Sequence, residues 1–291
     1  MKKKNIMFVI ILMTFLISMS PKAEELLPAL TVQSDTITSS YQLVDSIPIL
    51  MYHDFQPNSS NYLTVLYDDF IEQLEYLKNN NYTTITMNDL YLIRNRELLM
   101  PNNPIIICAD DGYLSNYTFM YPELKKRDMC ATVFVIGDHI DRATNGEYID
   151  ALGRFTWEQA REMNQDGTID IQLHTYKAHT QIEIENELVG IFATPLEAEI
   201  ATDYKLRIDK DIKKNIEVIG KNLGYFPVTF AYPYGQYSTI AEEVLKENGI
   251  EFTFTTNKGF LQTSGDGYLS DRITVSGINS FEIFKKNLEN N

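Results

Sequence analysis

The chain has 291 residues, with 25 Lys plus Arg against 40 Asp plus Glu, for a formal net charge of −15 at pH 7. That length can bury one large core, and a β/α barrel of this size commonly forms a single domain. The charge argues against nucleic acid or an anionic membrane surface as the main partner and suits a neutral or cationic polymer.

Residues 1–23 read as an export segment. Lys2, Lys3 and Lys4 give a positive start, and residues 6–19 carry no charge. A spanning helix needs about 20 apolar residues, so the shorter stretch suits a secretory signal. Pro21 follows the small Ser18 and Ser20 without an A-x-A cleavage pattern, which leaves a retained membrane anchor open. Either way the body is expected outside the cell. Residues 24–45, rich in Ser and Thr with little periodicity, read as a linker, and residues 46–291 as the folded domain.

Residues 47–51 read as a first strand, with Tyr52-His53-Asp54 as its exit. Residues 67–79 set Phe70, Leu74 and Leu77 on one helical face, with Asp68 and Asp69 in the first turn. A strand is expected over 82–87 and a helix over 88–100, capped by Asn88. The run Ile105-Ile106-Ile107-Cys108-Ala109 is apolar or small throughout, reads as a buried parallel strand, and ends in Asp110-Asp111-Gly112. A helix to about Arg127 follows, broken or restarted at Pro122. Residues 131–137 are expected as a strand, 138–153 as a loop, and Thr156 to Gln159 as a capping box opening a helix in which Trp157 packs. A strand over 169–173 delivers His174. Residues 182–223 read as mostly helical, with a break at Thr194-Pro195. Strands at 228–231 and 251–255 and helices at 238–248 and 281–288 complete the chain. Cys108 and Cys130 fall at opposite ends of neighbouring strands, on the order of 10 Å apart, and are expected to be free.

Strands alternating with helices imply a parallel sheet, open or closed. In a closed barrel, function collects where the strands end. His53, Asp110-Asp111, His174 and Tyr234 all stand at such ends. Two adjacent carboxylates repel, so a strand end that gathers both calls for a cation or a mobile proton. A solvated Asp-Asp-Gly turn is the plain alternative. His174 and His179, after another strand, strengthen the functional reading, because one Asp and two His make an open three-ligand site for a divalent ion.

Cys108-Ala109-Asp110-Asp111-Gly112-Tyr113, then His174 to His179, then Ala231-Tyr232-Pro233-Tyr234-Gly235 resemble, in this order, the polysaccharide deacetylase family. The resemblance covers roughly residues 45–291. The five-residue step between the histidines and the early Ile49-Leu50-Met51-Tyr52-His53 are most similar to the poly-N-acetylglucosamine deacetylases of biofilm exopolysaccharide systems.

The resemblance implies a distorted (β/α) barrel of about seven parallel strands in one catalytic domain. It implies an extracellular hydrolase that removes acetyl groups from an N-acetylglucosamine polymer. Asp111, His174 and His179 would hold one divalent ion, Zn²⁺ ahead of Co²⁺, Ni²⁺ or Fe²⁺. Asp110 would be the base on the attacking water, and the backbone N–H at Tyr234 would stabilise the oxyanion. Relatives often draw their acid from a late histidine, but none follows His179 here. His53 is the expected acid, with His139 as the alternative. The Arg that many relatives carry two positions before the P-Y-G proline is Ala231 here. Arg272, placed after another strand, could supply that cation to Asp110, and Asp271 could orient His53. The T-F that usually precedes D-D-G is replaced by the smaller Cys108-Ala109. A peptidoglycan deacetylase, a non-catalytic glycan-binding relative and a hydrolase of non-sugar amides are the competing readings.

Overall fold

Seven parallel strands close on themselves in the computed structural model, which describes residues 44–289. They are β1 (Ile49–Tyr52), β2 (Pro104–Asp111), β3 (Ala131–Ile136), β4 (Ile169–Thr175), β5 (Thr229–Ala231), β6 (Phe252–Lys258) and β7 (Ser270–Thr274). Each pairs with the next in sequence, and β7 returns to β1 through Ile273↔Leu50 and Thr274↔Met51. The expected barrel is therefore present. The export segment and nearly all of the linker lie outside the described residues.

All eight residues of β2 are buried, because a barrel strand wrapped by helices meets apolar surroundings on both faces. Alternation divides them between two cores. Ile106 and Cys108 join Ile49, Met51, Phe134 and Phe254 in the inner cluster, whereas Ile105, Ile107 and Ala109 pack outward against the helices. Each such isoleucine contributes about 1.5–3 kcal/mol through burial.

Helix α1 (Tyr67–Asn79) buries Phe70, Leu74 and Leu77 as its periodicity requires. The strand expected at 82–87 shortens to Thr83–Thr84, and helix α2 (Met87–Arg94) starts earlier than expected. Thr86, not Asn88, caps it. The Thr86 hydroxyl accepts from the Asp89 N–H, and the Asp89 carboxylate accepts from the Thr86 N–H, so each satisfies the other. Met87 and Leu90 of α2 join the inner core. Thr132 and Asp170, from the barrel strands, accept the N–H groups of Met87 and Asn88.

The segment after Gly112 is π-helical over Asn116–Met120 and continues as α3 (Tyr121–Lys126), with Pro122 in the first turn of the latter. Proline has no N–H to give, and the change of helix type falls beside it. Residues 138–153 are not all loop: α4 (Gly137–Thr144) occupies the first half. It buries only Gly137 and Ile140, so no apolar stripe announces it. Helix α5 (Trp157–Gln165) opens with the expected Thr156–Gln159 box, and buried Trp157 donates from Nε1 to Asp141 at 2.7 Å.

The reading of 182–223 as mostly helical needs correction. Gln181–Ile184 and Glu187–Gly190 form an antiparallel hairpin, and α6 (Ala201–Leu223) begins only after it. Glu185 and Asn186 make the turn at φ 53° and 66°. Two consecutive left-handed residues match the twist of a tight hairpin. Helices α7 (Thr239–Glu247), capped by Ser238, and α8 (Phe281–Glu289) complete the outer layer. Among the described residues, no helix is long and apolar enough to cross a membrane.

Candidate active site

Strand β2 carries both aspartates to the mouth of the barrel. Asp110 continues the inward alternation of Ile106 and Cys108. Asp111 turns off it at φ 77°, followed by Gly112 at φ 73°. A left-handed aspartate costs about 1 kcal/mol or more, which the surrounding packing must offset. A side chain at Gly112 would be strained by the positive φ, and its Cβ would come within 2.9 Å of Ile140 Cδ1.

His174 ends the inward row Asp170, Gln172, His174 of β4. Its Nδ1 lies 2.6 Å from the carbonyl oxygen of Ala231 on β5. That carbonyl can only accept, so Nδ1 carries a proton and Nε2 is the nitrogen turned to the mouth, a donor while the ring is charged and a ligand once it is neutral. The following loop is tied down by Asp211 of α6, whose carboxylate accepts the N–H groups of Tyr176 at 2.7 Å and Lys177 at 2.8 Å. This anchor brings His179 back over the mouth.

Asp111 Oδ1 then lies 3.4 Å from His174 Nε2 and 3.3 Å from His179 Nε2, and the two Nε2 atoms are 3.1 Å apart. Asp111 Oδ1 is buried without a hydrogen-bond partner. Burial works against ionisation of Asp111, but the two imidazoles outweigh it and hold the carboxyl below the usual range. Burial, then the charge of His174, push His179 down to about 4. Buried lone pairs converging from a carboxylate and two imidazoles are what a divalent cation satisfies, so this donor set fits a metal ion.

Asp110 is held differently. Arg272 Nη1 and Nη2 each lie 2.8 Å from one of its oxygens, and Arg272 Nε donates to the Thr255 carbonyl at 2.9 Å. Burial alone would raise the Asp110 pKa, but the guanidinium more than reverses it. Arg272 thus supplies the expected cation, although it sits within β7 rather than after a strand. Asp271 does not reach His53. Alternation turns it to the face opposite Arg272, where it packs against Gly259. The β7–β1 register also sets His53 level with Ser276, about 16 Å along the strand from Asp271.

His53 leaves β1 with its carbonyl fixed by Asn116 Nδ2 at 2.8 Å, near enough to Asp110 and Asp111 to help lower both carboxyls. His139 of α4 also feels Asp111, and its Nδ1 is buried without a partner. Burial, then the neighbouring Arg154, push the His139 pKa down. Tyr234 stands at φ 59°, its ring centroid 4.7 Å from that of His179 and its hydroxyl 3.2 Å from His179 Nδ1. That contact fixes the imidazole so that Nε2 faces Asp111. Arg154 carries no clear signal in the sequence, and Tyr113 only that of closing the Cys108–Tyr113 motif. The Arg154 guanidinium lies 4.0 Å from the Tyr113 ring centre and pairs with Asp150, and Tyr113 itself borders Asp111.

A seven-stranded β/α barrel with paired aspartates and two histidines at its mouth is the arrangement of a metal-assisted hydrolase. The chain belongs to the polysaccharide deacetylase family, whose model, described as Polysaccharide deacetylase, matches residues 100–253. It is 30% identical over 263 residues to the Bacillus subtilis protein YxkH, named for the same family, covering 88% of this chain and 83% of that one. It is 28% identical over 218 residues to the poly-beta-1,6-N-acetyl-D-glucosamine N-deacetylase of Staphylococcus epidermidis, covering 75% and 70%. Its fold is similar to that of a de-N-acetylase from Aggregatibacter actinomycetemcomitans, with a TM-score of 0.75 at 22% identity, over 84% of this chain and 100% of that one. The chain is accordingly a polysaccharide deacetylase.

Proposed function

We propose that the chain is a metal-dependent N-deacetylase of poly-N-acetylglucosamine that works outside the cell, free or tethered by its N-terminal segment. The observation that carries the metal dependence is the buried, unpartnered Asp111 Oδ1 between two imidazole nitrogens. The name of the Staphylococcus epidermidis relative supports the substrate, and the composition of residues 1–23 supports export.

Asp111, His174 and His179 would hold one divalent ion, with zinc favoured and cobalt, nickel or iron compatible with the same donors. When bound, the ion supplies Lewis acidity toward the acetyl carbonyl and makes water more acidic. Asp110, kept ionised and fixed in direction by Arg272, takes the proton of the attacking water. The backbone N–H of Tyr234 meets the charge that develops on the carbonyl oxygen. His53 protonates the departing sugar amine as the C–N bond breaks, leaving acetate and a glucosamine unit.

The test is acetate release by purified protein from β-1,6- and β-1,4-linked N-acetylglucosamine oligomers and from peptidoglycan, before and after chelation. Release from the β-1,6 oligomers, abolished by chelator and restored by a divalent ion, is the expected result. Release confined to peptidoglycan would transfer the reading to cell-wall deacetylation, and release indifferent to chelator would remove the metal. Recovery of the protein wholly in the cytoplasmic fraction would refute export.

A further inference from the structure

The hairpin at 181–190 is bound to the active site more closely than its place between two elements requires. It starts two residues after His179. It ends at Gly190, where a methyl group would lie 3.2 Å from Tyr234 Cδ2 and 3.3 Å from Gln236 Oε1. Gln236 fastens both ends of this contact. Its Oε1 accepts the Gly190 N–H at 2.6 Å, and its Nε2 donates to the Leu188 carbonyl at 3.2 Å. The hairpin, Gln236 and Tyr234 therefore form one unit, which continues through the Tyr234 hydroxyl to His179.

The pairing register shows what that unit presents. Gly190 faces Gln181 and Leu188 faces Glu183, so Leu188 shares the hairpin face that Gly190 turns to the Tyr234 ring. Leu188 is 61% exposed and Tyr234 39%. Leu188 stands two residues, about 7 Å along the strand, from Gly190, the residue that meets the Tyr234 ring. Ile184 is also exposed but belongs to the opposite face. An exposed leucine fixed beside an aromatic ring at a barrel mouth makes an apolar step. A β-linked glucosamine ring carries its polar groups around the rim and C–H bonds on its two faces, which matches such a step.

We propose that Leu188 and Tyr234 form a platform for the apolar face of the sugar unit next to the one being deacetylated. Gln236 acts as a positioning residue that holds the platform to the metal-ligand loop. The inference rests on the proposed polymer substrate and adds where its chain runs. The polymer lies along the hairpin side of the barrel mouth, and the site distinguishes a chain from a single sugar.

The experiment compares β-1,6-linked N-acetylglucosamine oligomers of increasing length with a small aryl acetate that offers only an acetyl group. Leu188→Ala is expected to raise KM for the longer oligomers about 5–10-fold, the scale of one lost apolar contact, with kcat and aryl acetate hydrolysis unchanged. Leu188→Asp is expected to raise KM further, and Ile184→Ala to leave it unchanged. Gln236→Ala is expected to raise KM in the same way, with partial rescue by Gln236→Glu, which retains an acceptor for the Gly190 N–H. An unchanged KM in Leu188→Ala, or an equal effect of Ile184→Ala, would overturn the platform while the substrate reading stands. Wild-type protein that cleaves the aryl acetate but no oligomer of any length would overturn the substrate reading and the platform together.

Discussion

Arg272 and Asp110 meet fork to fork across the barrel interior, two N···O contacts of 2.8 Å between strands separated by β1. Both side chains are almost fully buried. Removing the cation alone would leave a carboxylate without water or partner, so Arg272→Met should cost about 3–5 kcal/mol in stability. Asp110 is held ionised below the usual carboxylate range, so the pair's contribution is complete above about pH 4 and fades as pH falls below that. Denaturant titrations should also show that adding Asp110→Asn to Arg272→Met restores much of the loss without restoring activity. A double variant as unstable as Arg272→Met would show that Arg272 acts through packing instead.

The two neighbouring aspartates should separate by metal content. Asp110→Asn is expected to abolish turnover and keep its metal, whereas Asp111→Asn, His174→Ala and His179→Ala should lose metal and turnover together. Elemental analysis of the purified variants decides the matter. Equal metal loss in Asp110→Asn and Asp111→Asn would make the pair a joint ligand.

The acid is open to a direct contest, because His53 helps hold the Asp111 carboxyl down and His139 also lies within reach of Asp111. His53→Ala is expected to lower kcat by about 10²–10⁴-fold with metal affinity nearly intact, and to flatten the alkaline limb of the pH–rate profile. His139→Ala should change stability modestly and kcat little. The reverse pattern would assign the proton to α4.

Beneath the site, Asp170 offers a titration independent of catalysis. Burial raises its pKa to about 6, against the hydrogen bonds it accepts from Gln172, the Asn88 N–H and Thr132. Between about pH 4 and pH 6 the folded chain then holds a proton that the unfolded chain has released. Stability attributable to Asp170 should fall through that window as pH rises, by roughly 3 kcal/mol. Asp170→Asn should remove this slope, and an unchanged slope in the variant would place the titration elsewhere.

Thiol reactivity gives a simpler check. Burial pushes Cys108 up to about 12 and Cys130 up to about 11, and both are free. Neither should react with a thiol reagent in the folded protein, and both should react after unfolding without reductant. The two cysteines are not at opposite ends of their strands. Cys108 stands level with Thr132, only two residues beyond Cys130, but it turns inward to Arg272 while Cys130 meets Thr84.

What could be read from the sequence was whatever rests on local periodicity. The apolar run into Asp110, the face of α1 and the Thr156–Gln159 box all sit where their spacing puts them. The hairpin was hidden because its turn is Glu185-Asn186, without the glycine that usually marks two left-handed positions. Helix α4 was hidden because a single isoleucine anchors it. Asp271 adjoins Arg272 in sequence, but a strand sends neighbours to opposite faces, so only Arg272 turns to the site. The anchor of the His174–His179 loop, Asp211, lies in a helix whose own pattern says nothing about the loop it serves.

The order of the strands has a consequence for how the protein is made. Strand β1 pairs with β2 early in the chain but finds its other neighbour only in β7, the strand that also brings Arg272 to Asp110. A chain stopped short of Ser270 would expose the unpaired edges of β1 and β6 and bury an aspartate without its counter-charge. The last barrel strand to be synthesised thus closes the ring and completes the base together, so an interrupted translation product would be both misshapen and inert.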